Sequence, residues 1–185
     1  MSISRQHVCP WWLAYTFDNP LRRLLQDPER ILAGMVQRGE TALDVGCGMG
    51  YFSLALARIV GEEGWVIAAD LQPQMLERVR RRAARRGLLN RMRLHRCEPT
   101  RIGLREQVDF ALAFWMVHEI PDVQRFLAEL RGILRPEARF LMVEPKFHVS
   151  GTDFRRTLQI ALQERLRLLG EPRVPLSPAA LLGPG

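Results

Sequence analysis

The stretch that decides the fold is Leu43-Asp44-Val45-Gly46-Cys47-Gly48-Met49-Gly50. The apolar run Thr41–Val45 predicts a buried strand, and apolar residues recur at helical spacing from Tyr51 onward. Glycines at alternate positions between these segments let the backbone turn tightly and approach a ligand without a Cβ in the way. The stretch therefore predicts a strand, a ligand-binding turn and a helix, in that order.

The glycine spacing does not fit a dinucleotide-binding turn. Such a turn needs the pattern G-x-G-x-x-G, but here the third glycine comes one residue early and Tyr51 stands in place of the last glycine. Asp44, two residues before the first glycine, would repel a pyrophosphate and suits a ligand that carries an ammonium group and a sulfonium. The turn therefore argues against NAD and for a positively charged nucleoside.

Acidic residues also end or follow the next two predicted strands. Asp70 ends the strand that begins at Trp65, and its carboxylate could accept hydrogen bonds from both hydroxyls of a ribose. Glu98 lies just beyond the third strand and could take the exocyclic amine of an adenine. Because ligands of open α/β sheets bind at the carboxyl ends of the strands, this pattern predicts a nucleoside site.

The rest of the chain alternates between strand-like and helix-like apolar periods, which predicts an α/β fold with a mostly parallel sheet. A proline at the first helical position or a glycine after the last marks most helix ends. The predicted helices are 28–38, 51–60, 73–86, 121–134 and 154–169. The predicted strands are 41–45, 65–70, 91–96, 108–115 and 139–144, with two weak edge strands at 173–176 and 179–182.

Four segments together resemble a known family, the class I S-adenosylmethionine-dependent methyltransferases of the small-molecule branch (type 11/25). They are LDVGCGMGYFS at 43–53, VIAADLQPQML at 66–76, DFALAFWMVHEIPD at 109–122 and FLMVEPKFHVS at 140–150. The resemblance implies a Rossmann-like, doubly wound sheet of seven strands. Since the last two strands would have to fit into 171–185, among four prolines, we expect a shortened C-terminal edge.

The resemblance also implies S-adenosylmethionine as cofactor, with S-adenosylhomocysteine as product. It assigns the methionine part to the glycine turn, the ribose to the end of the second strand, and the adenine to residues after the second and third strands. The residues implied to bind the cofactor are Asp44, Gly46, Cys47, Gly48, Gly50, Asp70, Leu71, Glu98 and Phe114, of which Phe114 borders the methyl-transfer site.

Candidate acceptor-binding residues follow the fourth and fifth strands. His118 titrates near neutral pH and could act as a general base, with Glu119 beside it; alternatively the pair orients the cofactor or caps the next helix. Glu144, Lys146 and His148 would face one side if the fifth strand continued, and could bind an acidic or polar acceptor. Solvated loop charges are the other interpretation of these three residues.

The first 26 residues are predicted to form a lid or cap on a single domain, 27–185. Trp11, Trp12, Tyr15 and Phe17 crowd this segment and suggest a cover over an apolar or aromatic acceptor. The alternative is that these rings only pack the segment onto the core.

The composition restricts the partners and the location. The chain has 185 residues with 47% hydrophobic and 25% charged content, and no apolar run approaches the ~20 residues of a membrane span. The N-terminus lacks the pattern of a secretory signal, so we expect a cytoplasmic protein that is a monomer or homodimer. Cys9, Cys47 and Cys97 fit neither a disulfide framework nor a zinc spacing, so no metal is expected.

Three other functions compete with methylation of a small molecule. The net charge of +7 and the arginines between Arg78 and Arg96 could serve a nucleic-acid methyltransferase. However, the fourth strand lacks the Asn/Asp-Pro-Pro-aromatic signature of base-amine methyltransferases, so a solvated helix face is preferred and nucleic acid is not expected. Two alternatives remain. The chain could methylate a thiol or metalloid through Cys9 and Cys97, or it could be a non-catalytic partner protein that binds the cofactor.

Overall fold

The computed structural model describes residues 25–185. Helices and strands alternate along this part of the chain, with short 3-10 turns at Leu89–Arg91 and Val117–Glu119. The elements are α1 (Pro28–Leu32), β1 (Thr41–Val45), α2 (Tyr51–Val60), β2 (Trp65–Asp70), α3 (Pro73–Ala84), β3 (Met92–Arg96), β4 (Val108–Phe114), α4 (Val123–Ile133), β5 (Leu134–Val143), α5 (Gly151–Gln163), β6 (Leu166–Gly170) and β7 (Ala179–Pro184).

The seven strands form one sheet in the order β3-β2-β1-β4-β5-β7-β6. The pairs among β1 to β5 are parallel, whereas β7 runs antiparallel to both β5 and β6. The chain moves outward in one direction from β1 to β3 and in the other from β4 to β5. The sheet therefore has a switch point between β1 and β4, where open α/β sheets bind their ligands. This architecture confirms the predicted Rossmann-like, doubly wound fold.

Helices cover both faces of the sheet, and each face has its own apolar core. Side chains of β1 alternate between the two: Ala42 joins one core, and Leu43 and Val45 join the other. The first core is built with α1, α2 and α3 and contains Phe110, whereas the second is built with α4 and α5 and contains Phe140. Both phenylalanine rings are fully buried, as expected for strands covered on both faces.

Two predicted helices differ from the structure at their ends. The first ends at Leu32 instead of reaching 38, because the backbone leaves the helical region at Ala33 and turns through Gly34 at φ 74°. The fourth begins at Val123, capped by the carboxylate of Asp122, and passes directly into β5. Pro136 therefore lies inside β5 and does not close the helix; the β4–β5 register shifts beside this stretch, which suits a proline.

The C-terminal part of the prediction was wrong in two elements, the end of the last helix and the strand at 173–176. The helix α5 ends at Gln163, and the leucines assigned to its continuation form β6, starting at Leu166. Arg165, at φ 61°, makes the break. The sixth strand thus precedes 171–185, the strand expected at 173–176 is reduced to an isolated bridge between Val174 and Ser177, and the one expected at 179–182 lies within β7. The edge consists of two short strands of five and six residues.

Candidate functional site

The glycine turn between β1 and α2 requires glycine for two different reasons. Gly46, Gly48 and Gly50 have φ angles of 66°, 52° and 78°, in the left-handed region that L side chains rarely adopt. A Cβ on Gly46 would lie 3.0 Å from Met116, and one on Gly50 would lie 3.0 Å from Val79. A Cβ on Gly48 would meet nothing within 4 Å. Gly48 therefore borders open space at the switch point, while the other two allow close packing.

Asp70 connects this turn to the end of β2. Its carboxylate accepts hydrogen bonds from the backbone N–H of Gly48 and of Gln72, each at 2.9 Å. Only 8% of the residue is exposed, and this burial raises the pKa of Asp70 from 3.8 to about 6. A buried carboxylate at a ligand-binding strand end, held by backbone donors, is well placed to accept further hydrogen bonds from a ligand's hydroxyl groups.

Asp44 lies in β1 just before the turn, and Cys47 is part of the turn. The Asp44 carboxylate is buried and accepts a hydrogen bond from the Ser53 hydroxyl at 2.5 Å, which fixes it against α2. Burial, reinforced by the negative charges of Asp70 and Asp44, raises the pKa of the Cys47 thiol well above its usual value. The thiol therefore stays protonated, and Cys47 serves the turn as a small neutral side chain whose N–H bonds to the carbonyl of Ala69 at 3.0 Å.

The residues implied for the adenine lie after β2 and β3. Leu71 is half-buried directly after Asp70, and the N–H of Cys97 donates to the Asp70 carbonyl at 3.0 Å. Glu98 is exposed and binds Arg101 through two side-chain hydrogen bonds of 2.8 and 2.7 Å, which lower the pKa of Glu98. The partnership with Arg101 was not predicted from the sequence, because it depends on a turn that brings residues three apart into contact.

A second cluster forms where β4 and β5 end side by side. Nδ1 of His118 lies 2.5 Å from Oε2 of Glu144, and the backbone N–H of His118 donates to Oε1 of the same carboxylate at 3.2 Å. Glu144 is only 2% exposed, and its hydrogen bond raises the pKa of His118 above the usual 6.5. Since the carboxylate receives the Nδ1 proton, Nε2 of His118 is the ring nitrogen left to accept a proton from another molecule.

The other predicted acceptor residues surround this pair. The chain turns after Glu144 instead of continuing β5, so Lys146 and His148 are exposed on a turn. The rings of His148 and His118 are parallel within 6°, with centroids 6.0 Å apart. Glu119 follows His118 in the short 3-10 turn Val117–Glu119, and its backbone N–H donates to the carbonyl of Met116 at 3.0 Å.

A row of aromatic rings connects the two halves. Phe114, at the end of β4, packs on Phe52 of α2 with centroids 4.2 Å apart, and Trp115 follows at 5.5 Å from Phe114. Trp115 also contacts Phe147 edge to face at 5.2 Å. Sequence reasoning found Phe114 but missed Phe52, Trp115 and Phe147, since nothing in their local spacing shows that they meet.

The lid residues Trp11, Trp12 and Tyr15 lie outside the described residues. The described chain begins close to the site. The Gln26 side chain is buried, and its amide N–H donates to the backbone carbonyl of Pro175 at 3.0 Å. The backbone carbonyl of Gln26 accepts a hydrogen bond from the Tyr51 hydroxyl, also at 3.0 Å. Gln26 is therefore hydrogen-bonded both to the start of α2 and to the segment before β7.

Four further observations about residues 25–185 concern metal ligands, membrane spans, Cys97 and the arginines of α3. In that range no His, Cys, Asp and Glu side chains gather in a group that could hold a metal ion, and no helix has the length and apolarity for a membrane span. Burial raises the pKa of Cys97 to about 12, so its thiol is a poor nucleophile. The arginines of α3 make local contacts, such as Arg81 with Glu77 at 2.8 Å and Arg82 with the carbonyl of Met49 at 2.9 Å.

Comparison with known proteins identifies the family. A family model described as "Methyltransferase domain" matches residues 42–137, from β1 into β5, and this range includes the glycine turn, Asp70 and His118. Because this match covers more than half of the chain, the protein belongs to that family of methyltransferase domains.

Individual relatives agree with this assignment. Aklanonic acid methyltransferase DauC from Streptomyces sp. (strain C5) is 30% identical over 142 residues, which are 77% of this chain and 62% of the relative. Demethylmenaquinone methyltransferase from Oceanobacillus iheyensis is 30% identical over 110 residues, 59% of this chain and 46% of the relative. The chain thus spans about half the length of the curated relatives that it matches.

A solved structure matches over nearly the full length. The SAM-dependent methyltransferase from Aquifex aeolicus is 25% identical, superposes with a TM-score of 0.85, and shares 95% of this chain and 98% of its own length.

Proposed function

We propose that the chain is an S-adenosylmethionine-dependent methyltransferase that acts on a small-molecule acceptor. The observation that carries the proposal is the Asp70 carboxylate, buried at the end of β2 and bonded to the N–H of Gly48 at the switch point of the sheet. Such a carboxylate suits the two hydroxyls of a ribose, and the open space beside Gly48 suits the close approach of a ligand to the backbone.

The residues present fit this cofactor. Asp44 and the turn Gly46–Gly50 would hold the methionine part, because a buried carboxylate offsets the charge of an ammonium and a sulfonium. Asp70 would hold the ribose, Leu71 and Glu98 would flank the adenine, and Phe114 would border the reacting centre. When bound, S-adenosylmethionine supplies an activated methyl group, so the protein's main tasks are alignment and the exclusion of water.

His118 is proposed as the general base for acceptors that must lose a proton. Glu144 holds the imidazole through Nδ1 and the backbone N–H, which fixes the ring and leaves Nε2 free to take a proton from the acceptor. Glu119, Lys146 and His148 line the same end of the sheet and would bind or orient the acceptor. Glu144 acts through His118 and is therefore a positioning residue.

A small-molecule acceptor is favoured by the relatives whose names describe methylation of aklanonic acid and of demethylmenaquinone. Nucleic acid remains the weaker candidate, since the α3 arginines contact Glu77 and the backbone of the glycine turn. The N-terminal segment 1–26 as a lid, the cytoplasmic location and the monomer-or-homodimer state remain predictions from the sequence.

Calorimetric titration with S-adenosylmethionine and with S-adenosylhomocysteine tests the proposal without requiring the acceptor. We expect saturable binding of both, and Asp70→Asn should weaken each by at least about tenfold because one charge-assisted hydrogen bond of this kind is lost. Asp153→Asn, an exposed carboxylate at the start of α5, is the matched control and should bind as the parent protein does. An absence of binding in the parent protein would overturn the assignment.

A further inference from the structure

Two exposed apolar side chains lie on the segments that follow β5 and precede β7. Phe147 is 55% exposed on the turn after β5, and Leu176 is 53% exposed on the segment before β7. The two segments are joined by a hydrogen bond from the N–H of Lys146 to the carbonyl of Leu176 at 3.0 Å. The exposed side chains therefore belong to one surface at the carboxyl end of the sheet.

Trp115 forms the inner part of this surface and is held in a strained conformation. Its φ is 60°, a value that costs energy for a side chain of this size, and Leu176 has a similar φ of 61°. The indole N–H donates to the Ser177 hydroxyl at 2.9 Å, and the ring meets Phe147 edge to face. Strain of this kind persists where the surroundings enforce it, and it is concentrated at ligand-binding sites.

Aromatic contacts continue from this surface to the candidate base. Phe147 packs against His148 with centroids 5.0 Å apart, and His148 lies parallel to His118. Only the His148 ring separates Phe147 from His118 in this row, so a ligand that rests on Phe147 lies on the same side of the site as the His118 imidazole. This arrangement places an apolar contact surface and a hydrogen-bonding group next to each other.

We propose that Trp115 and Phe147 form the acceptor subsite and that the acceptor is a planar aromatic compound with a ring hydroxyl directed at His118. Aromatic rings favour other aromatic rings in edge-to-face and offset arrangements, which gives such a surface a preference for a flat, unsaturated partner. This inference rests on the proposed methyltransferase function and adds the substrate class, a hydroxylated aromatic ring.

The size of the surface favours a small molecule over a protein partner. Phe147 and Leu176 together expose roughly 200 Å², if a phenylalanine and a leucine are each counted at about half of their full area. One side of a stable protein–protein interface buries about 800 Å². The apolar area matches a bicyclic ring and falls well short of a docking face.

Binding of 2-naphthol to the full chain, saturated with S-adenosylhomocysteine, tests the inference by calorimetry. We expect Phe147→Ala to weaken binding by about tenfold, because it removes the aromatic contact as well as the buried area, and Phe147→Tyr to retain it. Leu162→Ala, an exposed leucine on α5, is the matched control and should leave the affinity unchanged.

Two further probes separate the ring from the hydroxyl. Decahydro-2-naphthol carries the hydroxyl on a saturated skeleton, and naphthalene carries the ring without the hydroxyl. We expect both to bind at least about tenfold more weakly than 2-naphthol, because the first lacks the aromatic ring and the second lacks the hydroxyl. Equal affinity for 2-naphthol and its saturated analogue, or an unchanged affinity in Phe147→Ala, would overturn the inference.

The same samples distinguish this inference from the proposed function. If S-adenosylhomocysteine fails to bind, the methyltransferase assignment fails first. If it binds normally but 2-naphthol does not bind, or binds without dependence on Phe147, only the acceptor subsite is wrong. Thermal unfolding of Phe147→Ala, expected to match the parent protein because the ring is exposed, checks that the variant is folded.

Discussion

The carboxylate of Asp70 is exposed to only a small extent, yet the proposed function needs it ionised to accept hydrogen bonds from a ribose. Its pKa of about 6 means that half of the unliganded molecules carry a protonated Asp70 at that pH. We expect the affinity for S-adenosylhomocysteine to be constant above pH 7 and to fall by about tenfold for each pH unit well below 6. Calorimetry between pH 5 and pH 8 measures this.

Asp70→Asn provides the control for that titration. The asparagine amide does not titrate, so the weakened affinity of this variant for S-adenosylhomocysteine should be the same from pH 5 to pH 8. Equal affinity of the parent protein at pH 5 and pH 7.5 would contradict the assignment of the ribose to Asp70.

Glu144 raises the pKa of His118, and this effect has a definite sign in catalysis. A base must be neutral, so activity should fall as the pH drops through the raised pKa of His118. Glu144→Gln removes the negative charge, lowers that pKa and should move the acid limb of kcat/KM to lower pH, with about a tenfold loss of kcat at pH 8.

The imidazole itself can be followed by NMR in the same variants, which separates its titration from turnover. Glu137→Gln, an exposed carboxylate on β5, should leave both the His118 titration and the pH profile unchanged. An unshifted acid limb in Glu144→Gln would show that His118 is not the titrating base.

The proposed ligand-binding role of Gly48 can be distinguished from the role of a glycine that is needed only for its positive φ. Alanine at Gly48 and alanine at Gly103 both face a positive φ, of 52° and 76°, without a contact closer than 3.8 Å. Each substitution should therefore lower the free energy of unfolding by about 1–2 kcal/mol, measured in urea. Only Gly48→Ala should also abolish cofactor binding, because its methyl group enters the proposed ligand space. Equal effects of the two substitutions on cofactor binding would contradict the proposal that the ligand approaches the backbone at Gly48.

The segment between β6 and β7 is hydrogen-bonded to the residues that follow β4 and β5, where the acceptor is proposed to bind. Ser177 accepts the indole N–H of Trp115, and the carbonyls of Leu176 and Pro178 accept the N–H groups of Lys146 and Glu144. Ser177→Ala removes a partner of the indole and should raise KM for the acceptor more than it lowers kcat, with a loss of about 1–3 kcal/mol in stability.

Ser177→Thr restores a hydroxyl and serves as the rescue variant. Recovery of KM with threonine would assign the effect to the hydrogen bond rather than to packing. If alanine and threonine gave the same KM as serine, the segment would have no part in positioning Trp115.

The strands beside the glycine turn were predicted correctly, because their boundaries are local. β1 and β2 are short, mostly apolar runs with an acidic residue at or next to the last position, and turn residues follow them directly. In contrast, Leu166 continues the helical spacing of α5, and only pairing with β7, which is remote in sequence, makes it a strand. Apolar periodicity cannot distinguish the two when the decisive partner lies elsewhere in the chain.

The same distinction applies to the site. The residues proposed for the cofactor could be chosen from the sequence because they lie within one motif and at the ends of successive strands, and their binding of the cofactor stays a prediction. The pairing of His118 with Glu144 was missed, although both were chosen as candidates, since it depends on β4 and β5 lying side by side and on a turn replacing the end of β5. Side-chain partners across strands require the sheet order, which local patterns do not contain.

The two apolar cores lie on opposite faces of one sheet and share no members among the described buried residues. Phe110→Leu and Phe140→Leu each alter a fully buried ring in one core and should each cost about 1 kcal/mol. The double variant should cost the sum within about 0.5 kcal/mol, because the two side chains belong to different cores on opposite faces of the sheet. Urea unfolding of the three variants measures this; a coupling above about 1 kcal/mol would contradict independent cores.

The position of β7 between β5 and β6 has a consequence for biosynthesis. The ribosome delivers β6 before β7, so β6 has no strand to join until β7 has emerged and added itself to β5. Until then the growing chain carries an open β5 edge and an unpaired segment rich in leucine, which are features that invite misassembly and chaperone binding. The acceptor end, which depends on the segment between these strands, is therefore assembled last.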